Sequence, residues 1–162
     1  MSLRARAPRP RPAVRAAALA GAGALVLTGC EAPTPLVTVF TGTTSVNAHA
    51  VCWSFDEEPV DPSTCTPGDE VPSIEYQASE TVGISVDVDV AEGGWIPYVA
   101  TGAGAQEQPL VADPLESTYY RFALPELSAE QATVTLRVVA VTGEGEETGT
   151  RGAWLFTLRP AD

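Results

Sequence analysis

The stretch that decides the fold is Thr81-Val82-Gly83-Ile84-Ser85-Val86-Asp87-Val88-Asp89-Val90. Its apolar residues recur at every second position. A period of two is the signature of a strand with one face in a core and the other in water. This reading places Val82, Ile84, Val86, Val88 and Val90 inward, and Gly83, Ser85, Asp87 and Asp89 outward. A second run, Ala132 to Val141 (ATVTLRVVAV), sets Val134, Leu136, Val138 and Ala140 against Thr133, Thr135, Arg137 and Val139.

Working outward, Leu36–Phe40 (LVTVF) is β-branched and apolar, and Thr41–Thr44 reads as a turn. Ser45–Phe55 (SVNAHAVCWSF) reads as one extended segment. Pro67-Gly68-Asp69 marks a turn. Ser73–Gln77, Trp95–Thr101, Ser117–Leu124 and Ala153–Leu158 follow as strands, with a short one expected at Leu110-Val111. Pro97 favours an edge position or a bulge. Pro125–Gln131 has room for one helical turn capped by Ser128. Seven or eight strands without a long helical period predict an all-β domain. The expected architecture is an antiparallel immunoglobulin-like β-sandwich, with a small β-barrel as the alternative. The Cys-Trp-Cys spacing of true immunoglobulin domains is absent.

The N-terminal segment is of another kind. Arg4, Arg6, Arg9, Arg11 and Arg15 stand among no acids, and Ala16–Gly29 is uncharged and apolar. That run is the length of a signal-peptide core and too short to span a bilayer. Leu27-Thr28-Gly29-Cys30 closes it. A small residue before the cysteine and a leucine three positions ahead of it form a lipobox. The expected organisation is a cleaved helical signal peptide over 1–29, a lipidated tether over 30–35 and an extracytoplasmic domain over 36–162. Cys30 then carries a diacylglyceryl group with palmitate-type chains, whose two tails give stable anchoring where one is marginal. At about 3.3–3.6 Å per residue the tether reaches ~20 Å.

All 21 acids follow Cys30, against only Arg121, Arg137, Arg151 and Arg159, so the segment after the signal carries −17. No lysine occurs. Such a balance excludes nucleic acid, which needs a basic footprint, and excludes electrostatic adsorption to anionic lipid. It attracts cations and basic partners.

Cys52 and Cys65 are the other two cysteines. Outside the cytoplasm a disulfide is their default. A zinc site is the rival, and it would need more ligands than the single His49 adds. The loop between them, Asp56-Glu57-Glu58-Pro59-Val60-Asp61, is the best cation candidate, although a solvated loop is the plainer reading. Asp87, Asp89 and Glu92 lack the spacing of a calcium loop. Glu144, Glu146 and Glu147 read as a hairpin tip. His49 has no Gly-x-Ser-x-Gly elbow to serve. Trp53, Trp95 and Trp154 read as core anchors rather than a sugar platform. The chain is expected to be no enzyme and to need no cofactor or metal.

The opening LTGCEAPTPLVTVFTGTTSV, the AVCWSF segment with Cys65 downstream, GWIPYV and the closing GAWLFTL resemble small actinobacterial membrane lipoproteins grouped as a domain-of-unknown-function family. The resemblance spans nearly the whole chain. It implies an envelope lipoprotein and carries over no catalytic or binding residue. The function expected is a lipid-anchored binding or interaction module with an envelope protein partner. The alternative is a lipoprotein that binds a small molecule or a divalent cation.

Overall fold

The alternating run divides into two elements. A computed structural model, which describes residues 32–56, 58–68, 70–124, 126–128, 133–143 and 148–161, places a strand at Thr81–Val86 and a short helix, α1, at Val88–Gly93. In chain order the strands are β1 (Leu36–Thr41), β2 (Thr44–His49), β3 (Cys52–Trp53), β4 (Ser73–Tyr76), β5 (Thr81–Val86), β6 (Trp95–Thr101), β7 (Gln108–Pro109), β8 (Tyr119–Ala123), β9 (Val134–Thr142) and β10 (Gly149–Pro160).

The break after Val86 has a simple cause. Val86 pairs with Val37, and the Asp87 N–H donates to the Leu36 carbonyl, where β1 begins. Beyond that point β5 has no partner on the β1 side. The Asp87 carbonyl instead accepts from the N–H groups of Val90 and Ala91 and opens α1. Residues two apart on a helix lie about 200° apart around its axis. Val88 and Val90 therefore cannot share a face: Val88 is 58% exposed and Val90 is 1% exposed. The expectation of Val88 pointing inward is corrected on this ground. Gly94, at φ +84, ends α1 in a conformation that side chains disfavour.

Two sheets face each other. One has the order β2-β1-β5-β8, and the other β3-β10-β9-β6-β7, with β4 also along β10. The pairing is antiparallel throughout, except for β4 beside β10, which is parallel. The result is an all-β sandwich and not a closed barrel. Val37, Val39, Val82, Ile84 and Val86 of the first sheet meet Val134, Leu136, Val138, Trp154, Phe156 and Leu158 of the second. Trp95, Trp154 and Phe156 are the largest fully buried side chains. Each such burial contributes about 1.5–3 kcal/mol relative to exposure.

Ser45–Phe55 is not one strand. β2 pairs with β1 in the first sheet, while Cys52 and Trp53 pair with Ala153 and Gly152 in the second. The chain changes sheets at Ala50 and Val51. Leu110-Val111 is not a strand; β7 lies two residues earlier. Pro97 stands in β6, which has β9 on one side and only the two-residue β7 on the other. Most of the expected turn at Pro125–Gln131 lies outside the described residues, and Glu126–Ser128 are not helical.

Candidate functional site at the tether end

The segment leading into β1 is held down by the sandwich. Pro35 is buried, and the Trp154 indole N–H donates to its carbonyl at 3.0 Å. The His49 Nδ1 lies 3.0 Å from the Thr34 carbonyl. A carbonyl only accepts, so Nδ1 carries the proton. The Leu36 N–H donates to Asp87 Oδ2 at 2.7 Å. Among the described residues, Thr34 is the first along the chain that these bonds hold. From Cys30 the chain reaches Thr34 through Glu31, Ala32 and Pro33, a span of ~14 Å at most at about 3.3–3.6 Å per residue.

Two open grooves meet here. The first, of about 420 Å³, is lined by Ala32–Leu36, His49, Trp53, Phe55, Asp87, Asp89 and Arg151. The second, of about 610 Å³, is lined by Asp89, Glu92, Gly93, Glu116, Val141, Thr142, Gly143 and Arg151. Asp89 and Arg151 border both. The Arg151 guanidinium lies 4.5 Å from the centre of the Trp53 ring, within cation–π range, and its Nη1 donates to the Asp89 carbonyl at 3.3 Å. Trp53 in turn packs on Trp154, centroids 5.6 Å apart. Gly152 makes this possible, because a Cβ there would meet the Trp53 ring and the Cys52 carbonyl. Arg151 therefore stands between a groove that carries Leu36, Trp53 and Phe55 and one that carries Glu92 and Glu116, with Asp89 common to both.

Cys52 and Cys65 are disulfide-bonded, with Cα atoms 4.9 Å apart. The bond closes the loop over the outer face of the second sheet. Pro59 sits against Gly149, and the Val60 N–H donates to the Thr150 carbonyl at 2.7 Å. Val139 and Val141, on that outer face, line a shallow groove with Pro59, Val60 and Pro62. Asp61 caps a 3₁₀ turn at Pro62–Thr64 by accepting from the Ser63 N–H at 2.9 Å. That bond, with the Ser63 side chain, holds its carboxyl below the ordinary value. Asp56 and Glu58 are exposed, and Glu57 lies outside the described residues.

The other sequence candidates fall as follows. Leu27, Thr28, Gly29 and Cys30 lie outside the described residues, as do Glu144, Glu146 and Glu147. Asp87 is the N-cap of α1, but its side chain serves Leu36. Asp89 and Glu92 sit on α1 beside the second groove. Among the described residues, no three His, Cys, Asp or Glu side chains stand close enough together to hold a metal ion. The hydrogen bonds of His49 run to Thr34. Trp95 and Trp154 are core anchors, with indole N–H groups satisfied by the Ser117 and Pro35 carbonyls. Trp53 is half-buried and shared between core and groove. Sequence reasoning missed Arg151 and Glu116 as site residues. Nothing local marks either, since their neighbours at the site come from other elements.

No helix of the described residues is long and apolar enough to cross a membrane. No protein-family model, curated protein or solved structure matches the chain.

Proposed function

We propose that this chain is a lipoprotein held through Cys30 at the extracytoplasmic face of a bacterial cell membrane, with its β-sandwich as a non-enzymatic binding module for an envelope partner. The observation that carries the reading is Leu27-Thr28-Gly29-Cys30 at the end of an arginine-led apolar run. The Cys52–Cys65 disulfide suits an oxidising compartment. The test is Cys30→Ala, followed by metabolic labelling with an alkynyl fatty acid and membrane fractionation. Lipid label and membrane retention are both expected to be lost. Unchanged retention without label in the parent chain sinks the reading.

A second reading has one observation in its favour. Asp89, Glu92 and Glu116 line a groove of about 610 Å³ with a single guanidinium among them. That favours a small cationic ligand over a chelated divalent ion. Calorimetry against calcium and against polyamines separates the two, and no heat from either removes the ligand reading.

A further inference from the structure

We propose that the tether end of the sandwich is itself a membrane-contacting surface, with Leu36, Phe55 and Val88 resting in the headgroup layer of the bilayer that holds Cys30. The proposal rests on the lipoprotein reading and adds an orientation and a second point of contact to it. Among the described residues, Leu36, Phe55 and Val88 are three of the four exposed large apolar side chains, at 36%, 47% and 58%. Leu36 and Phe55 line one groove. Val88 stands in the chain between Asp87 and Asp89, which line that groove too. Scattered singly, such residues would need no explanation; gathered at one end they do.

The occupant follows from where the chain leads. Thr34 and Pro35 are fixed to the sandwich beside these side chains. Only three residues, a reach of ~14 Å at most, separate Thr34 from the acylated cysteine. A domain on so short a lead presents to the bilayer the end from which the lead departs. Asp56, Asp87 and Asp89 stand next to the apolar groups. Carboxylates are repelled by anionic lipid and costly to bury, so they limit the contact to a shallow one and make it stronger on zwitterionic lipid. The opposite end, with Thr101–Gly104 and the Thr41–Thr44 turn, faces away.

The chain suits a thiol-labelling test. Cys30 is acylated in this reading and Cys52 is bonded to Cys65, so an introduced cysteine is the one free thiol. Phe55→Cys, Val88→Cys and, at the far end, Ala103→Cys would each be labelled with an environment-sensitive fluorophore in the mature lipidated protein. The proteins would then be reconstituted on phosphatidylcholine vesicles with and without brominated acyl chains. Expected are blue-shifted, bromine-quenched emission at positions 55 and 88 and a water-like, unquenched signal at 103. Vesicle-bound protein with water-like emission at all three positions overturns the contact while leaving the anchor intact. Protein with no lipid on Cys30 and no vesicle binding overturns both. A blue shift at 55 and 88 without bromine quenching means that protein covers the positions, either the sandwich's own groove or a second copy of the chain, and also overturns the lipid assignment.

Discussion

Trp154 and Pro35, 119 residues apart in the chain, are joined by a buried hydrogen bond from the indole N–H to the proline carbonyl at 3.0 Å. The bond ties the lead-in segment to the centre of β10. Trp154→Phe keeps most of the ring volume and removes the donor. The Pro35 carbonyl is then left buried without this partner, which costs about 1–3 kcal/mol. Urea unfolding should show a lower midpoint, and the segment around Pro33–Leu36 should become the first site cut by a nonspecific protease. A midpoint and a cleavage pattern matching the parent would show that the bond holds nothing down.

The Cys52–Cys65 bond spans 13 residues. On the loop-entropy account such a closure contributes about 3 kcal/mol. The loop it closes is also fastened to β10 through Val60 and Thr150. Replacing both cysteines by serine should therefore lower stability by about that amount, and should speed hydrogen exchange at the Val60 amide more than at amides of β9. Equal stability of the oxidised and reduced parent in urea would argue that the docked loop alone sets the geometry.

Two glycines lie under aromatic rings, and they should respond differently. A Cβ at Gly83 would meet the Phe40 ring, which stacks on Tyr119 at 5.6 Å. That ring lies on the outer face of the first sheet and can swing aside, so Gly83→Ala should cost about 1 kcal/mol, the worth of an aromatic pair. A Cβ at Gly152 would meet both the Trp53 ring and, at 2.9 Å, the Cys52 carbonyl. The carbonyl belongs to a backbone held by β10 and by the disulfide, so Gly152→Ala should cost about 3 kcal/mol. A double-mutant cycle separates the causes. Phe40→Ala should relieve Gly83→Ala almost fully, while Trp53→Ala should relieve Gly152→Ala only in part. Full relief in both would mean that the backbone contact gives way easily.

These contrasts show which parts of the molecule a reader of the sequence can see. Trp95–Thr101 and the alternation of Val134, Leu136, Val138 and Ala140 were legible because each residue's facing follows from its own neighbours in the chain. The disulfide was legible by count, since only two cysteines follow Cys30. The end of β5 at Val86 was not, because it depends on where β1 begins, and Asp87-Val88-Asp89-Val90 carries the same alternation on either side of that limit. β10 extends past Ala153–Leu158 in both directions because β9, β3 and β4 all pair along it. Gly149 and Gly152 lie before the strand expected at Ala153–Leu158, and only their close packing against Pro59 and Trp53 explains why glycine stands at these places in β10. The Arg151–Trp53 stack is a product of strand pairing between distant segments, and no local pattern announces it.

Two groups with displaced titrations among the described residues set opposite limits on stability. Asp61 is held below the ordinary carboxylate value by the Ser63 N–H and then by the Ser63 side chain. A carboxyl with a lower value folded than unfolded contributes stability above its unfolded value, and that contribution is lost as pH falls through the folded one. Tyr76 is buried, and burial raises its phenol above the ordinary value. Folding therefore favours the neutral phenol: the contribution is complete below the unfolded value, near pH 10, and is lost as pH rises through the folded one. Urea midpoints across the pH range should fall at the alkaline end, and Tyr76→Phe should flatten that fall without moving the acid limb. Asp61→Ala should do the reverse, making the acid limb shallower and leaving the alkaline one in place. The Asp61 effect should be small, because its carboxylate is in full contact with water and is capped only locally. An alkaline limb unchanged by Tyr76→Phe would mean that the ring reaches solvent before the sandwich opens.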